Sequence, residues 1–131
     1  MNRWQRVWKF GIAPLLSPNA LSALATALRD DDPRLVQGTT TEPMPLAIFA
    51  DAPVEGACAI GFALWQGHGL DRVGVLHLAF RRLCCSADDL LDEALASSAF
   101  IHWFDDAPRS EMRRQLLAEI EEQATEPRRA A

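Results

Sequence analysis

The segment from Pro53 to Gly67 constrains the fold of this chain more than any other. It reads PVEGACAIGFALWQG, and only Glu55 and Gln66 in it are charged or amide side chains. A helix of this composition is apolar on every side, which is typical of a helix that other helices surround. The segment therefore predicts a central, buried helix over residues 53–66.

Signals around and within the segment support this helix. Asp51 is a suitable N-terminal cap, and Gly67 and Gly69 suit the left-handed conformation that often ends a helix. The interior glycines Gly56 and Gly61 each weaken a helix by about 1 kcal/mol relative to alanine. We therefore expect neighbouring helices to approach the backbone closely at the small residues.

The rest of the chain favours a helical bundle. Leu and Ala are abundant and Tyr is absent, which favours helix over strand. Apolar residues recur at helical spacing in further segments, and Ser17, Pro18 and Asp71 are typical of helix starts. The sequence predicts an all-α fold, in which about six helices form a compact, single-domain bundle around the central helix.

Two boundaries follow from local patterns. The residues from Ser86 to Asp89 resemble a capping box with Asp in place of Glu, so one helix is predicted to end near Cys85 and another to begin after it. The helical domain is expected to span residues 1–124. Residues 125–131 are expected to form a frayed C-terminal tail.

An α+β fold is the alternative. Three apolar runs, at 46–50, 57–65 and 73–80, have the length of strands, and periodicity alone does not separate a short buried strand from a buried helix. The middle run is mostly Ala, Gly and Cys, whereas strands favour β-branched and aromatic residues. We therefore prefer the helical interpretation.

The charge and the cysteines restrict partners and location. The formal net charge is -5, so the averaged field of this acidic chain repels phosphate backbones, and no nucleic acid is expected as a partner. Two of the three cysteines are adjacent, which disfavours a disulfide framework, and reduced thiols predict a cytoplasmic protein. No segment reaches the ~20 apolar residues of a membrane span, so stable membrane insertion is not expected.

The sequence lacks the known motifs of catalysis and metal binding. It contains no glycine-rich phosphate loop, and His68, His77 and His102 fall in different predicted elements. A zinc site made of His77, Cys84 and Cys58 would lack the paired ligand spacing of zinc motifs. We expect no catalytic residue, no metal and no cofactor.

Large aromatic residues are the positive evidence for a function. Trp4, Trp8, Trp103 and Phe104 offer more aromatic surface than a small bundle needs, and Trp is enriched at the energetic centres of interfaces. These four residues are the interface candidates. They predict a protein-protein interaction or adaptor module that binds another protein and has no catalytic activity of its own. Alternatively, Trp4 and Trp8 cover the hydrophobic core.

A small enzyme or ligand-binding protein is the first alternative function. Segment 37–45, QGTTTEPMP, is the longest irregular stretch, and binding residues concentrate on such loops. Thr39, Thr40 and Thr41 could donate hydroxyl groups to a ligand. The site would lie between this loop and Glu55 at the start of the central helix.

Peripheral membrane association is the second alternative. Residues 3–12 alternate apolar and basic side chains at helical spacing, and Trp4 and Trp8 fall on the apolar face. A basic face opposite tryptophans is typical of helices that lie in the membrane interface.

Overall fold

The computed structural model describes residues 1–125, which form a helical bundle with one small sheet. In chain order the α-helices are α1 Arg3–Val7, α2 Pro18–Asp30, α3 Ala59–His68, α4 Val73–Leu91, α5 Ser97–Asp106 and α6 Arg109–Thr125. The sheet pairs β1, Thr41–Glu42, with β2, Gly56–Ala57, in antiparallel orientation. The prediction of a mostly α-helical bundle of about six helices is confirmed.

Shorter helical turns extend this framework. A π-helical segment, Trp8–Ile12, continues directly from α1, and a 3-10 turn at Ala13–Leu15 follows it. A second 3-10 turn, Ala47–Phe49, lies between the two strands.

Helix α3 lies at the centre of the hydrophobic core, as its composition predicts. Its first six residues, Ala59 to Leu64, are all buried, and it packs against α2 and α4. Gly67 faces Ala20 of α2, where a Cβ atom on residue 67 would collide with the Ala20 backbone. The absence of a side chain at Gly67 therefore allows α2 and α3 to pack closely.

The start of α3 differs from the prediction. The helix begins at Ala59 with Cys58 as its N-cap, whereas the sequence predicted a start near Pro53 with Asp51 as the cap. Residues 53–57 are extended, and the last two of them form β2. Pairing with β1, which is distant in sequence, satisfies backbone groups that a longer helix would have used.

Helix α4 also differs from the prediction because it continues through the expected boundary at Ser86. Ala87 is fully buried, so packing holds this part of the helix in place. Asp88 does not cap a new helix of its own. Its Oδ1 accepts a hydrogen bond from the backbone N–H of Ser97, 2.7 Å away, at the start of α5.

The α+β alternative is wrong for the three runs that suggested it. Residues 46–50 contain a 3-10 turn, 57–65 lie almost entirely in α3, and 73–80 lie in α4. Only Ala57 among them belongs to a strand. The single-domain assignment of residues 1–124 stays a prediction. Of the predicted tail at 125–131, only Thr125 is among the described residues, and it ends α6.

Candidate functional site

Three of the four aromatic interface candidates lie in the core. Trp4, Trp8 and Phe104 are 5%, 0% and 1% exposed, and Trp103 is partly buried. The Trp103 ring stacks on Trp4 with 3.5 Å between ring centroids, and Phe100 lies against Trp8 at 5.1 Å. The chain itself covers Trp4, Trp8 and Phe104, so these three side chains do not offer an exposed surface to a partner.

The packing of α1 against α5 explains this burial. The indole Nε1 of Trp8 donates to Oε1 of Gln123 in α6 at 3.1 Å, so its polar atom is also satisfied within the fold. The apolar face of residues 3–12 is therefore turned inward, and among its larger apolar side chains only Phe10 is exposed. Membrane contact through the buried face would require this segment to leave the core.

The threonine loop lies beside the start of α3. The backbone N–H of Cys58 donates to the carbonyl of Thr40 at 3.1 Å, which fixes the loop against the helix N-terminus. Thr41 is fully buried, and its hydroxyl donates to the Pro43 carbonyl at 2.8 Å. The Thr39 hydroxyl donates to the Thr41 carbonyl at 3.0 Å. Two of the three hydroxyl groups are thus used within the loop.

Glu55 is not brought to a cavity with these threonines. Its side chain is exposed, and its backbone N–H donates to the Glu42 carbonyl at 2.8 Å beside the strand pair. Glu55 is not among the residues that line the cavity beside the threonine loop.

A small cavity does open on the other side of this loop. Its volume is about 140 Å3, and its walls come from the loop, the first turn of α3 and helices α4 and α5. Gly38, Thr39 and Thr40 line one side, and Phe80 and Phe104 are among the apolar residues opposite. At the rim, the Gly38 N–H donates to Oδ1 of Asp105 at 2.9 Å, which connects the loop to α5.

Cys58 lines this cavity as a thiol. The side chain is buried, and desolvation raises its pKa to about 12. Burial likewise raises the pKa of Cys84 to about 11. Since the thiolate is the nucleophilic form, neither residue is activated for nucleophilic catalysis at neutral pH.

His77, Cys84 and Cys58, whose sequence spacing does not match a zinc motif, do not converge on a metal site. Within residues 1–125 no three His, Cys, Asp or Glu side chains form a group that could hold a metal ion. Nδ1 of His77 is buried without a hydrogen-bond partner, and desolvation and the charge of Arg81 lower the pKa of this imidazole. Both effects favour the neutral form of His77.

The sequence-based reasoning missed an exposed apolar surface, which we call the α4 surface. It consists of two side chains of α4 and three from the segment beside it: Val75 (55% exposed), Leu78 (47%), Met44 (59%), Leu46 (48%) and Ile48 (83%). Val75 and Leu78 are spaced three residues apart, and the buried residues Val73 and Leu76 face the other way. The sequence signal that could have indicated this surface is the presence of apolar residues on two sides of α4.

Backbone hydrogen bonds join the two parts of the α4 surface. The N–H groups of Val73 and Gly74 donate to the carbonyls of Ala52 and Ala50, at 3.0 and 2.9 Å. A Cβ on Gly74 would lie 3.0 Å from that of Ala50, so the glycine admits the neighbouring segment. The 3-10 turn is thereby held against α4, next to the exposed apolar side chains.

Neither the membrane search nor the comparisons supply a function. No helix in the described part of the chain is long and apolar enough to cross a bilayer. Comparison with protein-family models, with curated proteins and with solved structures gives no match.

Proposed function

We propose that this chain is a small protein-protein interaction module that binds another protein through the α4 surface. The observation that supports the proposal is the grouping of five large, exposed apolar side chains on adjoining elements. Scattered apolar residues are normal on protein surfaces, whereas grouped ones mark interaction sites. The proposed location is the cytoplasm, where the three free cysteines would stay reduced.

The size of the α4 surface limits what apolar contact alone can achieve. Its side chains are 47% to 83% exposed. At about 1.5–3 kcal/mol for covering a whole apolar side chain, the five together would contribute roughly 4–9 kcal/mol. Association itself costs about 4–15 kcal/mol in lost translational and rotational freedom. A stable complex therefore needs polar contacts as well.

A quantitative pull-down with matched variants tests this function. The double variant Ile48→Ser/Leu78→Ser removes the centre of the α4 surface, and Leu90→Ser/Leu95→Ser removes two exposed leucines elsewhere. We expect a set of proteins that the wild type and the second variant retain and the first variant loses, with all three proteins equally folded by circular dichroism. Equal retention by both variants would contradict the proposal.

Small-ligand binding is a second candidate function, and the cavity at Thr40 favours it. A cavity of roughly 150 Å3 admits a molecule the size of benzene, and polar as well as apolar residues line the cavity here, so it suits a small ring compound that carries a polar group. Titration with phenol should shift the methyl NMR signals of Ile60 and Ile101, which line the cavity, while those of the distant Ile120 stay in place. Unchanged signals at the solubility limit would remove this candidate.

A further inference from the structure

The arginines of this chain fall into two groups. In the described residues, six arginines form an ion pair with a carboxylate: Arg3, Arg6, Arg29, Arg34, Arg109 and Arg113. Four others in residues 1–125 form none: Arg72, Arg81, Arg82 and Arg114. Three of these four belong to α4 or to its N-cap, although the chain as a whole is acidic.

These three arginines lie around the apolar side chains of α4. Arg82 follows Leu78 by four residues and Val75 by seven, so the three share one exposed face of the helix. Arg81 is exposed at the edge of that face. Arg72 is exposed at the N-cap, where its Nη1 donates to the Asp51 carbonyl at 3.3 Å. The α4 surface therefore combines an apolar strip with cations that lack a carboxylate partner.

We propose that the α4 surface binds an acidic amphipathic helix of a partner protein. Leucine-like side chains of that helix would cover Val75, Leu78 and Ile48, and its flanking carboxylates would pair with Arg81 and Arg82. Apolar anchors at i, i+3 or i+4 and i+7 are the usual pattern of a helix bound to an apolar surface. This inference rests on the proposed function and adds the chemistry of the partner.

Charge complementarity selects a carboxylate-rich partner. An arginine that forms no ion pair can donate two parallel hydrogen bonds to a carboxylate of the partner. Such contacts would add to the binding free energy that the apolar side chains alone do not provide. In the complex, apolar neighbours would partly cover the pairs between these arginines and the partner's carboxylates. Salt would therefore screen these pairs less than it screens fully exposed ion pairs.

The surroundings of the α4 surface favour a narrow helix over a lipid bilayer. Glu42, Asp51 and Asp71 are exposed on the segments that adjoin it. A flat anionic bilayer would bring its headgroups close to all of these carboxylates, whereas a single helix covers a narrower area and approaches fewer of them.

Binding of two synthetic helical peptides tests the inference. Both carry leucines at i, i+3, i+7 and i+10; one has glutamates at the flanking positions and the other has lysines. We expect the full chain to bind the glutamate peptide at least tenfold more tightly by fluorescence anisotropy, with affinity that falls as salt rises. The glutamate peptide should also slow alkylation of Cys85, which is exposed one turn beyond Arg81.

Charge-neutralising variants provide the matched control. Arg81→Gln/Arg82→Gln should weaken binding of the glutamate peptide about tenfold or more. Arg114→Gln removes an exposed arginine on α6 that forms no ion pair within residues 1–125, and it should leave the affinity unchanged. All three substituted arginines are exposed, so these variants are expected to fold.

Four results would overturn the inference. They are equal binding of both peptides, no binding of either up to 1 mM, tighter binding to anionic vesicles than to the glutamate peptide, and a self-association in sedimentation that Leu78→Ser abolishes. The last two would assign the surface to a membrane or to a second copy of the chain. If the peptides fail while the pull-down still depends on Ile48 and Leu78, the interaction function stands and only the acidic partner is wrong.

Discussion

The three cysteines differ in their surroundings at the scale of single side chains. Cys58 is 8% exposed, Cys84 is partly buried and Cys85 is exposed. Desolvation raises the pKa of Cys58 to about 12 and that of Cys84 to about 11. A thiol with a pKa four units above the solution pH is a thiolate in only ~1 of 10,000 molecules. Reactivity with thiol reagents should therefore follow exposure.

We expect one of the three thiols to react quickly with dithionitrobenzoate at pH 8 and the other two only after unfolding. Absorbance at the released thionitrobenzoate band measures the number of equivalents in each phase. Cys85→Ser should abolish the fast phase, whereas Cys58→Ala should leave it intact. A fast phase that survives Cys85→Ser would show that Cys58 or Cys84 is accessible in the native state.

At the scale of elements, the π-helical segment Trp8–Ile12 that follows α1 depends on Trp8. The side chain is fully buried, and its indole N–H is bonded to Gln123. Phe10, two residues later, is 51% exposed and makes a matched control in the same segment. A core position, Trp8, and a surface position, Phe10, thus lie within one helical turn of each other.

We expect Trp8→Ala to lower the free energy of unfolding by about 3–5 kcal/mol, as is usual for a buried tryptophan. Phe10→Ala should change it by less than about 0.5 kcal/mol, as is usual for a surface position. Urea denaturation followed by circular dichroism measures both values. A small effect of Trp8→Ala would show that the α1 segment is only loosely attached and would restore Trp8 as an interface candidate.

The elements that sequence predicted best are those set by local signals. Ser17 caps α2 through a hydrogen bond from the Ala20 N–H, and Gly69 ends α3 in the left-handed conformation at φ 72°. Each of these two helix ends can be recognised from only a few adjacent residues in the sequence. The helical periodicity of apolar residues is likewise local, so the fold class follows from it.

The features that sequence did not reveal depend on contacts between distant segments. The start of α3 is set by pairing of β2 with β1, and Asp88 bonds to Ser97 in the next helix instead of capping its own. Exposure of Val75 and Leu78, and burial of Trp8, depend on which neighbours cover each helix face. Sequence alone therefore leaves open whether Trp4 and Trp8 belong to the core or to an interface, and it does not show that aliphatic residues of α4 are exposed.

At the scale of the whole molecule, arginine-carboxylate pairs connect segments that are distant in sequence. Asp31, at the end of α2, accepts from Nε of Arg109 in α6 at 2.8 Å. Glu93, after α4, accepts from both Arg3 and Arg6 of α1. Hydrogen bonds from Arg109 and from Arg6 lower the pKa values of Asp31 and Glu93 below their ordinary values of 3.8 and 4.5.

A lowered carboxyl pKa means that the folded state binds fewer protons than the unfolded state. The stability that these carboxylates contribute is therefore present above their ordinary pKa values and is lost as the pH falls through the folded values. The loss begins below about pH 5 and continues below pH 3.8. Acid should thus weaken the attachment of α1 to α4 and of α2 to α6 together.

We expect the thermal midpoint of the wild type to fall between pH 5 and pH 3, and Asp31→Asn/Glu93→Gln to reduce that fall while lowering the midpoint at pH 7. Asp30→Asn is the matched control, because Asp30 is exposed beside Asp31 and forms no ion pair in residues 1–125. Calorimetry at several pH values measures the midpoints. If the double variant keeps the full wild-type pH dependence, other carboxylates control acid stability and these two pairs do not connect the helices energetically.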